Sequence, residues 1–376
     1  MRWTIRGGLA AGLMLALAGC GDGPIVPGGP VASVEVIPDT ATRPTGTTIQ
    51  LSATVRDTAG VELGGHPVSW SSSSPGVATV DESGRVTTVS PGTAVITAVS
   101  DGRTGTSSVT VWRPEVLVGA GDIATCDSSG PVATALLLDG IAGTVFTAGD
   151  NAYPSGTDAE FADCYHPTWG RHKARTRPTA GNHEYFTPEA AGYFNYFGAA
   201  AGVRGQGYYS YELGMWHVIA LNSNIPVTAG SPQEQWLRAD LAATSKLCVL
   251  AYWHHPLFNS GTEHGNESFV RPLWDALHEH GADVVVVGHE HVYERFAPQR
   301  PDGTADPATG IRQFTVGTGG GTIYQFGTPL PNSQARGLSR GVLKLTLRDV
   351  GYDWQFIPVA GESFTDSESG ACHGRP

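Results

Sequence analysis

The chain has 376 residues, enough for two or three domains of ordinary size. It carries 23 Lys and Arg against 35 Asp and Glu, and the net charge of −12 argues against a nucleic-acid partner, which requires a basic surface. Only 15% of residues are charged, and the chain has 50 Gly and 25 Pro, which disfavours a coiled coil or a helical bundle. The composition therefore indicates β-rich domains with many turns.

The amino terminus has the features of an export signal. Two arginines precede an apolar run that is too short to span a bilayer. Residues 17–20, Leu-Ala-Gly-Cys, resemble the lipobox of bacterial lipoproteins, which implies cleavage before Cys20 and lipid attachment to it. We therefore predict a lipoprotein signal peptide over 1–19 and a Gly- and Pro-rich tether over 20–30. The protein is expected in the bacterial cell envelope, anchored to a membrane and facing the periplasm or the surface, with the leaflet left open.

The cysteines that remain after Cys20 agree with export. An even number of them in an oxidising compartment predicts two disulfides, for which three pairings are possible. We favour Cys126–Cys164, which would join two loops near one site, and Cys248–Cys372, which would fix the carboxyl-terminal tail.

Residues 31–112 consist of short runs rich in Val, Ile and Thr, separated by turn sequences, which is typical of a β-sandwich. The stretch from Val68 to Ala94 is similar to the bacterial Ig-like domain of group 2. This resemblance implies an all-β Ig-like sandwich that serves as a spacer or a surface contact. The predicted strands include Val34–Ile37, Ile49–Val55, Val77–Val80 and Ala94–Val99.

Residues 113–376 alternate between apolar runs and helical patterns, which favours a layered α/β domain. Helices are predicted from near Pro131, after the N-cap Ser231, and over Val270–His280. The last predicted strands follow one another without helices and indicate a second, partly antiparallel sheet: Gln313–Val316, Val342–Leu347 and Tyr352–Pro358.

Side chains with metal-ligand chemistry follow five predicted strands or loops. Because ligands bind beyond the carboxyl ends of strands in an open α/β sheet, we expect these side chains to lie close together. Carboxylate and amide oxygens with imidazoles suit iron, manganese or zinc, and no Cys-x-x-Cys pair is present in the sequence. The groups are Asp122, Asp150 with Tyr153, Asn182 with His183, His254 with His255, and His289 with His291.

Five motifs occur in order: Gly-Asp at 121–122, Gly-Asp-Asn-Ala-Tyr at 149–153, Gly-Asn-His-Glu at 181–184, Trp-His-His-Pro at 253–256 and Gly-His-Glu-His at 288–291. Together they resemble the calcineurin-like metallophosphoesterases over most of residues 113–376. Many members have Asp-x-His in the first motif, where this chain has Asp-Ile-Ala. Tyr153 makes it more similar to the purple acid phosphatase branch. The resemblance implies a four-layer α/β domain with two central mixed sheets flanked by helices.

The resemblance also implies a centre of two metal ions. A phenolate favours ferric iron at the first site, and a neutral amide favours a divalent iron, zinc or manganese ion at the second. Asp122, Tyr153 and His291 would bind the first metal, Asp150 would bridge both, and Asn182, His254 and His289 would complete the second.

Two further histidines are candidates for catalysis without binding metal. His183 follows the predicted ligand Asn182 and resembles the family histidine that contacts the phosphoryl oxygens or the leaving group. His264 lies ten positions after His254 and resembles a proton donor, although a solvated loop residue is the alternative. His255 is interpreted as a replacement for a small residue rather than as a residue that orients a ligand.

Two glycine-rich stretches are discounted. Gly119–Ala124 formally fits a dinucleotide-binding fingerprint, but Asp122 would repel the pyrophosphate. Gly317–Gly321 is not followed by a helix with Lys and Ser or Thr, so it is not a phosphate-binding P-loop. We interpret it as a plain turn, with close approach to the metals as the alternative.

The sequence therefore predicts a dinuclear-metal phosphoesterase that hydrolyses small phosphate monoesters, in the manner of an acid phosphatase, by attack of a metal-bound hydroxide. One alternative is a phosphodiesterase acting on nucleotide or glycerophosphodiester substrates. Another is a surface-binding protein with a structural metal site, which the presence of His183 disfavours because such a site has no need of it.

Overall fold

The computed structural model describes residues 26, 27 and 29–374. The chain divides into two compact units, with the boundary between Val111 and Trp112. The predicted signal peptide and the predicted lipid-attachment cysteine lie outside the described residues, as does most of the predicted tether. Among the described residues, no helix is long and apolar enough to cross a bilayer.

The amino-terminal unit is built from β-strands around one apolar core that includes Val86 and Ile96. Its strands are β1 Val26–Pro27, β2 Ser33–Ile37, β3 Thr40–Pro44, β4 Thr48–Gln50, β5 Ser52–Arg56, β6 Leu63–Gly64, β7 Ser69–Ser72, β8 Ala78–Val80, β9 Arg85–Thr88, β10 Gly92–Ser100 and β11 Arg103–Trp112. The larger sheets have the orders β3-β11-β10-β7 and β4-β9-β8, while β2 pairs with β5 and β1 with β6.

The predicted strand over Ile49–Val55 is interrupted at Leu51. The backbone N–H of Leu51 donates to the carbonyl oxygen of Gly84, 2.9 Å away, instead of continuing the ladder of β4 or β5. Leu51 is 1% exposed, so the break places an apolar side chain in the core.

The carboxyl-terminal unit combines strands with helices. Its strands are β12 Glu115–Ala120, β13 Thr144–Ala148, β14 Thr176–Thr179, β15 Tyr209–Leu213, β16 Trp216–Ala220, β17 Cys248–Tyr252, β18 Val284–Val287, β19 Tyr293–Phe296, β20 Arg312–Val316, β21 Ser333–Gly337, β22 Gly341–Leu347, β23 Gly351–Pro358 and β24 Asp366–Ala371. Its α-helices are α1 Gly130–Asp139, α2 Asp158–Glu160, α3 Ala191–Phe197, α4 Pro232–Ala243 and α5 Arg271–Glu279. The hydroxyl of Ser231 accepts from the N–H of Glu234 and caps α4, as predicted.

The described strands of this unit form two mixed sheets, with the orders β14-β13-β12-β22-β23-β24 and β15-β16-β17-β18-β20-β19-β21. The late strands do not stay together as predicted. Strand β20 lies in the second sheet, but β22 pairs antiparallel with β12 and carries β23 into the first sheet. The prediction is wrong for β22 and β23 because their partner comes from the start of the unit, which local spacing cannot show.

Three apolar cores separate the four layers of this unit. One core lies between the two sheets and includes Phe146 and Tyr252. A second core includes Leu138 of α1 and Phe194 of α3 with residues of the first sheet. A third includes residues of α4 and α5 with the second sheet. Helices therefore flank two central mixed sheets, which confirms the predicted fold class.

Both favoured disulfides are present. Cys126 is joined to Cys164, with Cα atoms 4.7 Å apart, and Cys248 is joined to Cys372, with Cα atoms 5.5 Å apart. The second bond ties the residue after β24 to the first residue of β17.

Candidate metal centre

The predicted metal-binding residues follow the carboxyl ends of strands from both sheets. Asp122, Asp150 and Asn182 come after β12, β13 and β14, which are mutually parallel. His254 and His289 come after the parallel strands β17 and β18. Because parallel strands present their carboxyl ends at one edge, side chains that are distant in the sequence meet there.

Three of these residues have a left-handed backbone conformation. The φ angle is 61° at Asp122, 49° at Asp150 and 71° at His289. Such angles are uncommon outside glycine and cost about 1–3 kcal/mol each where the surroundings enforce them. The N–H of His289 donates to Asp122 Oδ2 over 2.9 Å, so part of the enforcement comes from inside the site.

Glycines in the motifs permit this close approach. A Cβ atom on Gly149 would lie 2.5 Å from His254 Nδ1, and one on Gly181 would lie 2.1 Å from Asp150 Oδ1. A larger residue at either position would collide with a predicted ligand.

The first group of donor atoms surrounds the hydroxyl of Tyr153. This oxygen lies 3.0 Å from Asp122 Oδ1, 3.0 Å from Asp150 Oδ2 and 3.1 Å from His291 Nε2. These are the residues predicted to hold the first metal together with the bridging carboxylate.

The second group of donor atoms surrounds His254 Nε2. This nitrogen lies 2.9 Å from Asn182 Oδ1, 3.1 Å from His289 Nδ1 and 3.3 Å from Asp150 Oδ2. Asp150 therefore contacts both groups, because the same carboxylate oxygen also lies near Tyr153.

Hydrogen bonds behind the histidines orient them. Nδ1 of His254 donates to the carbonyl oxygen of Ala148, and Nδ1 of His291 donates to that of Thr322, so that each Nε2 is left as an acceptor facing the site. His289 uses the opposite arrangement. Its Nδ1 faces His254, while its Nε2 lies 3.7 Å from a carboxylate oxygen of Glu267.

Electrostatic coupling inside the site shifts several pKa values. Burial opposes ionisation of Asp150, but His254 and His183 outweigh it and hold the pKa of this carboxyl well below its usual range. Against the effect of burial, Asp150 raises the pKa of His254 to about 9. Burial and the carboxylates of Asp122 and Asp150 raise the pKa of Tyr153 well above its ordinary value. A cation bound here would displace protons, so metal affinity is expected to fall as the pH falls.

The donor set fits two cations. The first group offers two carboxylates, a phenol and one imidazole, which suit a hard, highly charged ion. The second offers an amide oxygen and two imidazoles with the shared carboxylate, which suit a divalent ion. Ligand atoms of Asp150, His254 and His289 all lie within 4.8 Å of one another.

Comparison with known families divides the chain in the same way as the structure. Residues 30–111 match the family model of the bacterial Ig-like domain (group 2). Residues 116–293 match that of the calcineurin-like phosphoesterases, and this range contains every residue discussed so far as a metal ligand.

Curated relatives include purple acid phosphatases of Arabidopsis thaliana. Purple acid phosphatase 22 is 34% identical over 151 residues, which cover 38% of this chain and 34% of the relative. Purple acid phosphatase 18 is 32% identical over 132 residues, covering 33% of this chain and 30% of the relative. The chain thus spans about a third of the length of these relatives.

Among solved structures, purple acid phosphatase PPD1 from yellow lupin (Lupinus luteus) seeds superposes with a TM-score of 0.56 at 14% identity, covering 90% of this chain and 69% of the other. GAP50, described as the anchor in the inner membrane complex of Plasmodium, gives 0.54 at 14% identity, covering 69% and 89%. The carboxyl-terminal unit has the metallophosphoesterase fold. The amino-terminal unit is an all-β Ig-like domain.

In the metallophosphoesterase domain, His183 lies beside both donor groups. Its ring centroid is 4.4 Å from that of Tyr153, and its Nε2 is 3.8 Å from Asp150 Oδ2. Nδ1 donates to the carbonyl oxygen of Pro154 over 2.6 Å. The side chain is 28% exposed, so it can reach a molecule that enters from solvent.

His264 packs on a predicted ligand. Its ring centroid lies 3.8 Å from that of His289, and its Nδ1 lies 3.4 Å from Glu290 Oε2. The side chain is 31% exposed. The structure thus places His264 at the site, while its catalytic role stays a prediction.

The interpretation of His255 as a simple replacement is incomplete. Its Nδ1 lies 2.7 Å from the hydroxyl of Ser223, and its ring lies 5.0 Å from that of His254 and 4.5 Å from that of His289. Burial, aided by His254, lowers the pKa of His255 to about 3. His255 is therefore a neutral ring that supports two predicted ligands.

The glycine-rich stretch near 317–321 is a close approach to the site rather than a plain turn. A Cβ atom on Gly317 would lie 2.7 Å from Asp122 Oδ2, and one on Gly321 would lie 2.9 Å from the ring of His291. The plain-turn interpretation is wrong because the backbone here packs directly on two predicted ligands.

The sequence analysis did not identify two buried glutamates as part of the site. Glu184 accepts the N–H groups of Asn151, Ala152 and Gly181, and burial with nearby Asp150 raises its pKa to about 8. Glu290 accepts from the side chain of Asn259 and from the N–H of His264. Each glutamate directly follows a site histidine within a motif, and this position was the available signal.

Proposed function

We propose that the protein is a metal-dependent phosphoesterase that hydrolyses phosphate monoesters. The observation that carries this proposal is the position of Asp150 Oδ2, 3.0 Å from Tyr153 Oη and 3.3 Å from His254 Nε2. One carboxylate shared by two donor groups suits a pair of cations, whereas a single structural ion would need one group. The family match over residues 116–293 supports phosphate esters as the substrate class.

We infer the identities of the metals from the chemistry of the donor set. Two bound ions would offset the charge of the phosphoryl oxygens and lower the pKa of a water molecule. We infer ferric iron beside the Tyr153 phenolate, and a divalent iron, zinc or manganese ion beside the neutral amide of Asn182. Asp122, Tyr153 and His291 would hold the first ion, Asn182, His254 and His289 the second, and Asp150 both.

Metal analysis together with the visible spectrum tests this assignment. Phenolate-to-iron charge transfer should colour the protein, and Tyr153→Phe should remove the band. A colourless active protein with zinc at both sites would contradict the ferric assignment.

His183 and His264 would donate protons to oxygen atoms of the substrate. Because Nδ1 of His183 donates to the carbonyl oxygen of Pro154, a second proton on the ring would sit on Nε2, and the protonated ring would donate it to a phosphoryl or leaving-group oxygen. In His264, Glu290 contacts Nδ1, so that the protonated ring would carry its second proton on Nε2 and could transfer it to the leaving alkoxide, leaving the neutral ring.

Parallel assays of p-nitrophenyl phosphate and bis-p-nitrophenyl phosphate test the function. Faster monoester cleavage that Asp150→Ala abolishes, but the exposed control Asp163→Ala retains, would support the proposal. Faster diester cleavage would favour a phosphodiesterase. Metal binding without hydrolysis of either ester would favour a surface-binding protein.

We also propose that the protein is exported and anchored through a lipidated Cys20. The lipobox-like residues and the two disulfides of the metallophosphoesterase domain support this location. Cys20→Ser should move the protein from the membrane fraction to the soluble fraction. An unchanged distribution would contradict the anchor.

A further inference from the structure

Aromatic side chains surround the candidate site. Phe186 contacts His183, with ring centroids 4.9 Å apart, and Phe269 contacts His255, with centroids 5.2 Å apart. Tyr324 stacks on His291 at 4.1 Å with an angle of 8° between the rings, and its centroid is 5.7 Å from that of His264. Three segments that are distant in the sequence thus each bring an aromatic ring to a histidine of the site. We call Phe186, Phe269 and Tyr324 the aromatic rim.

The exposure of the two phenylalanines of this rim is unusual within the molecule. The chain has 12 Phe, all within the described residues, and Phe186 and Phe269 are the two that are exposed, at 63% and 44%. Single exposed apolar residues are normal on a protein surface. Exposed phenylalanines that each contact a histidine of the candidate site instead point to a surface that contacts a ligand.

The charges around the aromatic rim restrict further the class of substrate that fits the site. Among residues 29–374, no Lys or Arg side chain hydrogen-bonds or ion-pairs with the predicted ligands, the two catalytic histidines or the rim. The neighbouring carboxylate of Glu267 is 3.7 Å from His289 Nε2, and Glu263 lies next to His264. Acidic side chains beside the predicted ligands would therefore repel the additional phosphate groups of a polyphosphorylated substrate.

We propose that the site prefers monoesters whose alcohol carries an uncharged aromatic ring, and that the aromatic rim packs against this ring. This inference rests on the proposed phosphoesterase function and adds its substrate class. Ring-to-ring contact together with burial of apolar surface supplies the discrimination.

The test compares 2-phenylethyl phosphate with propyl phosphate, whose leaving alcohols are of similar acidity. The expected ratio of kcat/KM is about tenfold or more in favour of the aromatic ester, within the range that apolar pockets achieve. Phe186→Leu and Phe269→Leu should each lower this ratio, because they keep an apolar side chain but remove the ring. Inositol hexakisphosphate should be a poorer substrate than either ester.

Val350→Ala is the matched control, because Val350 is 56% exposed in the same domain. Its carbonyl accepts from Cys372, which is joined to the first residue of β17, at the strand end opposite His254. The ratio should stay unchanged in this variant. An equal loss on both esters in Phe186→Leu would show that Phe186 only supports His183 and would overturn its assignment to the rim.

A ratio near one in the unaltered protein, or faster cleavage of inositol hexakisphosphate, would overturn the proposal. Calorimetric binding of 2-phenylethylphosphonate against propylphosphonate separates this failure from failure of the proposed function. If the protein cleaves neither ester but binds the aromatic phosphonate more tightly, the result supports the role of the aromatic rim and contradicts the proposed phosphoesterase function. Equal binding of the two phosphonates would also overturn the rim.

Discussion

The two domains differ in the kinds of polar side chain that they bury. Within residues 29–111, the buried polar side chains are the hydroxyls of Thr88, Ser100 and Ser107. The metallophosphoesterase domain buries carboxylates and imidazoles, including those of Asp122, Glu184 and His254. Burying an ionisable group costs free energy unless it is paired or bound to metal. The Ig-like interior therefore serves packing, whereas the interior of the metallophosphoesterase domain also holds the candidate metal ligands.

This contrast predicts different responses to the same treatment. Removing metal, protons or a catalytic side chain should change the metallophosphoesterase domain and leave the Ig-like domain alone. Removing a packed methyl group from the Ig-like core should do the reverse.

Metal removal should give the largest effect. Dialysis against a chelator is expected to abolish hydrolysis and to lower the melting temperature of the metallophosphoesterase domain only. An ion present at 1,000 times its dissociation constant contributes about 4 kcal/mol of stability. Calorimetry with and without restored metal measures both transitions. Equal shifts of the two transitions would contradict the assignment of the metals to one domain.

His183→Ala should lower kcat by about 10²- to 10⁴-fold, because a positioned proton donor is lost, while metal content stays the same. His166→Ala is the control, since His166 is exposed in the same domain, with Nδ1 3.0 Å from the hydroxyl of Tyr196. Steady-state kinetics and metal analysis on both variants provide the check. Normal turnover in His183→Ala would refute its catalytic role.

Ile96→Ala should destabilise the Ig-like domain by about 2–5 kcal/mol, because Ile96 is fully buried and the surrounding core cannot close the cavity completely. Val95→Ala, on the next residue of β10, removes a 40% exposed side chain and should change stability little. Denaturant unfolding and phosphatase assays measure the two consequences. A loss of activity in Ile96→Ala would show that the domains are coupled.

His217 should give the smallest effect on stability, and the size of this effect depends on pH. Burial opposes the charged ring, but hydrogen bonds of 2.7 Å to Asp240 and 2.9 Å to Glu212 outweigh it, so the pKa of His217 is raised. The stabilisation is therefore complete below the ordinary pKa of about 6.5 and is lost as the pH rises through the folded pKa.

His217→Gln should accordingly reduce the free energy of unfolding by up to about 2 kcal/mol at acidic pH, and by less at alkaline pH. Asp240→Asn should remove the same pH dependence. Urea unfolding across pH 5–9 compares the variants, and a difference that grows with rising pH would contradict this account.

The order of the motifs allowed most of the candidate site to be predicted from the sequence. Each predicted ligand lies in a segment that follows the carboxyl end of a strand, and parallel strands place such segments at one edge. The roles of Glu184 and Glu290 were not visible, although both stand inside motifs. Sequence position cannot tell whether a carboxylate faces a metal or turns back to bind the N–H groups of its own loops.

By itself, the amino-acid sequence determined the division into an Ig-like and a metallophosphoesterase domain and the strand-end positions of the donors, whereas it left three cysteine pairings open. Local hydrophobic patterns and short motifs carry this information, because burial and turn formation act over a few residues. Only the tertiary structure decided that β22 and β23 join the first sheet and that Phe186, Phe269 and Tyr324 each contact a histidine of the candidate site. Such contacts depend on which distant strands and loops pack together, and the spacing of residues along the chain does not record that.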